Sequence, residues 1–141
     1  MTEARTLVAG TARGVALVLD EPLSFWGGID PVTGDVIDVR HPQRGANVSG
    51  RVLVMPSGRG SSSSSSVLAE CIRAGTAPAA IVLGESDPIL ALGAIVAREL
   101  YRGTVPVVVS SSPRVHDGDL VTVLATGPRV EILGGPPHGG R

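Results

Sequence analysis

The chain has 141 residues, which suits one domain with a single hydrophobic core. With 43% apolar and 18% charged residues it is no disordered tail, and a net charge of −1 without a basic stripe makes nucleic acid a poor partner. Every one of the 12 basic side chains is Arg, which excludes a Schiff-base lysine and the lysine of a P-loop. The single cysteine excludes an internal disulfide and cannot alone hold a Cys-rich zinc site or an iron–sulfur cluster, so any such metal must come from another chain. The first residues lack a signal-peptide pattern. The longest apolar stretch, 89–97, falls short of the ~20 residues of a membrane span, so a cytoplasmic protein is expected.

In chain order, 6–8 and 15–19 read as two short strands, with the glycine-bounded segment 10–14 as the turn between them. Residues 23–28 form a loop that carries Phe25 and Trp26, two of only three aromatic residues, followed by Gly27 and Gly28. The segment 30–35 has turn chemistry throughout, and a short strand over 36–39 should follow. Pro42 makes 41–45 another loop. The run 52–55 is apolar without alternation, as in a strand buried on both faces. It ends in Pro56-Ser57-Gly58-Arg59-Gly60 and six serines, 61–66, beyond which Val67, Leu68, Cys71 and Ile72 share one helical stripe and Gly75 suits the C′ position.

A second strand–loop–helix unit follows over 79–101, with Asp87 and Pro88 as N-cap and N1 residues. Its helix is apolar nearly all round up to Arg98, so it is deeply buried or faces a partner. Strands are expected at 105–109, 120–124 and 130–133, with a loop at 110–113 and a tight turn at 116–119. The Gly/Pro-rich tail, 134–141, should be disordered. Helices that follow strands define an α/β domain with a mixed sheet.

The loop Gly58-Arg59-Gly60-Ser61 opening a helix is the most informative feature. Unpaired N–H groups and a partial positive charge at a helix N-terminus favour an anion. That anion could be a ligand carboxylate or phosphate, or Ser61 itself as an alkoxide, with Arg59 adding a fixed charge and a carboxylate-binding fork. The plainer alternative, which spacing alone favours, is that Ser61 or a neighbour simply caps the helix. A P-loop would need a lysine and a different spacing, and a nucleophile elbow would need Gly two residues after the serine. His41, His116 and His138 lie in loops or the tail and read as solvated. Cys71 falls on the apolar stripe and reads as a core residue. Phe25 and Trp26 either fill an irregular core edge or line a ligand or partner surface. Asp30, Arg40 and Arg44 read as solvated turn charges, and the 110–113 loop could face the same cleft as Ser61.

Several motifs in one order resemble the swivel-domain small subunit of aconitase X. They are Pro22-Leu23-Ser24-Phe25-Trp26-Gly27-Gly28 with Asp30-Pro31 and Thr33-Gly34, then Val52 to Pro56 running into Gly58-Arg59-Gly60-Ser61. Gly75-Thr76-Ala77-Pro78-Ala79 and His116-Asp117-Gly118-Asp119 complete the set. The resemblance implies a swivelling β/β/α three-layer domain with a mixed sheet over residues 1–133, like domain 4 of aconitase, and a hydro-lyase that is inactive without a large subunit carrying the iron–sulfur cluster. The family's activities are dehydration of cis-3-hydroxy-L-proline to Δ1-pyrroline-2-carboxylate in bacteria and of phosphomevalonate in archaea. The resemblance makes Ser61 the catalytic base. Arg59, Gly60, Ser62, Ser24, Phe25 and Trp26 are expected to bind substrate. Archaeal members carry Thr-Val-Gly after the serine and lack the Trp, so Ser62-Ser63-Ser64 and Trp26 resemble the bacterial hydroxyproline branch. A non-catalytic anion-binding module is the alternative from a different class.

Overall fold

The computed structural model describes residues 4–136 apart from Gly60 and Pro128. Its strands are β1 (Ala4–Val8), β2 (Gly10–Val18), β3 (Val52–Met55), β4 (Ala80–Leu83), β5 (Val107–Ser110), β6 (Leu120–Thr126) and β7 (Arg129–Gly135). They hydrogen-bond in the order β1-β5-β4-β3-β2-β6-β7. Neighbours among β2, β3, β4 and β5 are parallel, whereas β1 on β5, β6 on β2 and β7 on β6 are antiparallel. The sheet is mixed, as the sequence implies. A short turn, α1 (Phe25–Gly28), and two longer helices, α2 (Ser64–Ala74) and α3 (Pro88–Tyr101), complete the element list.

Side-chain size sorts the two faces of the parallel strands. Leu53, Met55, Ile81, Leu83 and Val107 point to the helices, where they pack with Leu68, Cys71, Leu90, Ala91 and Ala94. The opposite face offers Val52, Val54, Ala80, Val82 and Val108, which meet Val121, Val123 and Ala125 of β6. Among the described residues the buried members of that second core are all Val or Ala, and short side chains let the two β layers approach closely. The result is three layers: the β6–β7 ribbon, the parallel sheet, and the helix pair.

Strand β2 belongs to both β layers. Gly10 to Val15 pair with β6, and Ala16 to Val18 pair with β3. The expected turn over 10–14 is therefore strand, and the glycines have another purpose. A Cβ at Gly14 would lie 2.5 Å from the Gly50 carbonyl oxygen, so glycine lets the bending strand pass this loop. Arg51 fixes the bend by donating through Nε to Val15 O and through Nη2 to Ala16 O, both at 3.0 Å.

Other boundaries shift for identifiable reasons. No strand forms at 36–39: Val36 bridges only Ile29 and Asp35 only Asn47, because the turns around Pro31, Gly34, Pro42 and Gly45 change the partner every residue or two. Strand β5 starts at Val107, two residues late, after Pro106, which has no N–H for the ladder. Strand β7 runs to Gly135, so Gly134 and Gly135 are ordered by pairing with Val121 and Leu120. The rest of the expected tail beyond Pro136, including His138, lies outside the described residues. Helix α3 begins as expected, with the Asp87 side chain accepting from Ile89 N and Leu90 N and Pro88 following. Gly75 ends α2 in the left-handed region, at φ +79°. Among the described residues no helix is long and apolar enough to cross a membrane.

Candidate active site

Three loops leave the carboxyl ends of β2, β3 and β4 and are joined by backbone contacts. Leu23 and Gly58 form a parallel bridge, and Arg59 N–H donates to Leu23 O at 3.3 Å, so the aromatic loop and the glycine loop run side by side. Gly58 also packs on the third loop, because a Cβ there would collide with the Asp87 carboxylate. Gly84 lies equally close to the glycine loop, its Cβ position being 2.6 Å from Pro56 O. Glycine is needed at these positions for close backbone approach, which the sequence could not distinguish from a need for positive φ. A depression of about 290 Å³ opens at the same strand ends, lined by Leu19, Met55, Pro56, Gly84, Ser110 and Pro113 among others.

The serine run is half loop and half helix. Helix α2 starts at Ser64, three residues beyond Ser61, and its N-cap residue is Ser63, whose side chain makes no capping bond. Ser61 therefore does not cap the helix but lies in the turn that leads into it. Its carbonyl accepts from Ser64 N–H at 3.0 Å, and its Oγ accepts from Ser63 N–H at 3.3 Å. A backbone donor on Oγ favours negative charge on that oxygen, as does the amino end of α2 just beyond. Ser61 is half-buried, whereas Ser62 and Arg59 are exposed. Among the described residues no carboxylate forms an ion pair with Arg59, which leaves its fork open to a ligand anion.

The two aromatic side chains have opposite fates. Phe25 is 0% exposed and part of the helix-side core, so its expected contact with substrate is not offered by this chain. Trp26 is 60% exposed on the same turn, where Gly27, at φ +76°, breaks the helical path. Ser24 is half-buried, and its Oγ lies 3.1 Å from Ser64 Oγ. Gly60 lies outside the described residues.

The histidine reading needs a correction at His41. It is buried, its Nδ1 accepts from Gln43 N–H at 3.0 Å, and Nε2 donates to Glu21 O at 3.1 Å, so the ring staples two loops. His116 is exposed in its turn, as expected. Asp30 and Asp38 accept from backbone N–H groups two residues on, which makes them turn residues with a structural bond. Arg40 and Arg44 are exposed. Ser110, expected in a loop, is instead the last residue of β5; it is 0% exposed, and its Oγ finds no hydrogen-bond partner in the structure.

An iron–sulfur cluster or a similar metal does not fit these residues. Cys71 is 0% exposed on the core-facing side of α2, and burial pushes its thiol pKa up, away from the thiolate that a metal requires. Among the described residues no group of three His, Cys, Asp or Glu side chains could hold a metal ion.

A three-layer α/β domain with three loops gathered at the carboxyl ends of a parallel sheet is the class that fold and site define. The chain belongs to the aconitase X swivel domain family, whose model matches residues 1–132. The fold aligns with the crystal structure of Thermococcus kodakaraensis aconitase X in its holo form at a TM-score of 0.82 and 38% identity, over 94% of this chain and 97% of that one. The chain is 56% identical over 103 residues to cis-3-hydroxy-L-proline dehydratase of Pseudomonas aeruginosa, which covers 73% of this chain but only 18% of that relative. It is 47% identical over 95 residues to the phosphomevalonate dehydratase small subunit of Methanothermobacter thermautotrophicus, or 67% of this chain and 72% of that one.

Proposed function

We propose that this chain is the small subunit of an aconitase-superfamily hydro-lyase, working in the cytoplasm with a cluster-bearing large subunit and supplying Ser61 as the base. The observation that carries the reading is the state of Ser61. It is half-buried in a turn knitted to two other loops, with a backbone donor on Oγ and the exposed Arg59 two residues before it.

Elimination of water from a β-hydroxy carboxylate needs a base at the α-carbon and an acid for the departing hydroxyl. The Ser61 alkoxide takes the α-proton, the C–H electron pair forms the new double bond, and the hydroxyl leaves as water once protonated. Arg59 holds the substrate carboxylate or the ionised base, with Gly60, Ser62 and Ser24 around the substrate and Trp26 excluding water as the parts close. In this reading the acid that protonates the departing hydroxyl, and any iron–sulfur cluster, would belong to the large subunit, since among the described residues no set of side chains fits a metal.

The substrate of this reading is cis-3-hydroxy-L-proline, converted to Δ1-pyrroline-2-carboxylate, and its support is the 56% identical Pseudomonas relative. Phosphomevalonate is the second reading. It is favoured by the small-subunit relative, of which this chain covers 72%.

Assay of the assembled complex on both compounds decides between them. In that complex, Ser61→Ala should lower kcat by about 10²-fold or more while assembly is unchanged. Near-normal turnover of assembled Ser61→Ala would remove the catalytic assignment. Tight carboxylate or phosphate binding by the isolated chain would favour a non-catalytic anion-binding module instead.

A further inference from the structure

Of the six serines in the run, Ser64 is the buried one, at 4% exposure. It stands between two parts of the proposed cleft. Its backbone N–H donates to Ser61 O at 3.0 Å. Its Oγ accepts from Trp26 N–H at 3.2 Å and shares a hydrogen bond with Ser24 Oγ at 3.1 Å. The Trp26 amide thus bonds to a side chain from another element, while its own turn departs from helical geometry at Trp26 and Gly27. On the far side of Trp26, the weak Ile29 N–H to Phe25 O contact, at 3.4 Å, closes the turn.

We propose that Ser64 is a positioning residue: its buried hydroxyl clamps the Ser24–Trp26 turn onto the first turn of α2, fixing the Trp26 indole relative to Ser61. The proposal rests on the reading of Ser61 and Trp26 as parts of one substrate cleft. A hydroxyl has one proton and two lone pairs, so a single Oγ can serve Ser24 and Trp26 together. Because the bond to Ser61 is made by the backbone and the bonds to the aromatic turn by the side chain, substitution separates the two. Ser64→Ala releases the turn and leaves the link to Ser61 in place.

Trp26 is the chain's sole tryptophan, so its fluorescence reports this turn directly. In the full chain, Ser64→Ala should change acrylamide quenching of Trp26 while the far-ultraviolet circular dichroism stays native. Ser24→Ala, which removes one of the two bonds, should shift quenching in the same direction by less and serves where Ser64→Ala folds poorly. In the assembled enzyme, Ser64→Ala should lower kcat/KM about tenfold. Added to Trp26→Ala it should cost nothing further, because no indole remains to be positioned. Unchanged quenching in Ser64→Ala, or losses that add in the double variant, would overturn the proposal. A complex that dehydrates neither substrate would reject the functional reading, while the quenching measurement still decides whether the clamp exists.

Discussion

Cys71 is the chain's one thiol, and burial decides what it can do. It lies at 0% exposure on the core-facing side of α2 with Leu68, and desolvation is the main reason that its pKa is raised from 9.0. The Thr76 hydroxyl opposes the shift without cancelling it. A raised folded pKa means that the unfolded chain loses its proton first as pH climbs. Stability is therefore held below pH 9.0 and falls as pH rises past it toward the higher folded value. We expect denaturation midpoints of the wild type to decline in this window and those of Cys71→Ala, whose overall stability is lower, to lack that component. Because only the thiolate reacts, a thiol reagent at neutral pH should label the native chain at the rate of global unfolding. Rapid labelling under native conditions would contradict the buried placement. Ser61, ten residues earlier on the same loop–helix unit, is by contrast half-buried.

Helices α2 and α3 show how a sequence pattern can be right about an element and silent about its neighbour. The Asp87-Pro88 start and the Gly75 stop were legible because each local rule is satisfied within a few residues. The start of α2 was not legible, since in six identical residues no local signal marks Ser64 as buried. Nor could the spacing show that Gly10 and Gly14 lie within a strand, because what crowds them is distant in sequence: Thr104 at Gly10 and the Gly50 carbonyl at Gly14. Gly93 is a similar case. A Cβ on this buried α3 residue would stand 2.6 Å from the Ser65 carbonyl oxygen of α2. In an isolated helix, Gly→Ala adds about 1 kcal/mol of stability. Here the opposing contact is backbone that cannot rotate away, and overpacking of this kind costs about 1–3 kcal/mol. We therefore expect Gly93→Ala to lower stability by denaturant titration despite its better helix propensity. A stabilised variant would show that the two helices can separate freely.

At the scale of the whole molecule, the two cores close within the chain, whereas the proposed site is one that a partner subunit would complete. Leu, Ile and Met fill the helix side and Val and Ala the β side, so neither core depends on a partner. The sequence made this layering legible through the apolar runs at 52–55 and 79–83, and the position of the glycine loop followed from the strand before it. The clamp at Ser64 and the bend in β2 are tertiary and had no local signature. Incompleteness lies at the surface instead: Trp26 is exposed beside the serine loop, and α3 shows Leu92, Val96, Leu100 and Tyr101 to solvent. A domain with closed cores and an open site should fold alone and function only in company. The purified chain is thus expected to unfold in one cooperative transition, to retain no iron after reconstitution and desalting, and to show no dehydratase activity until the cluster-bearing subunit is added. Iron analysis, a denaturation curve and a turnover assay on the same preparation check all three. Stoichiometric iron on the isolated chain would contradict the assignment of the cluster to the other subunit. Dehydration by the chain alone would show that the acid for the departing hydroxyl is its own, and the division of labour between the two subunits would have to be abandoned.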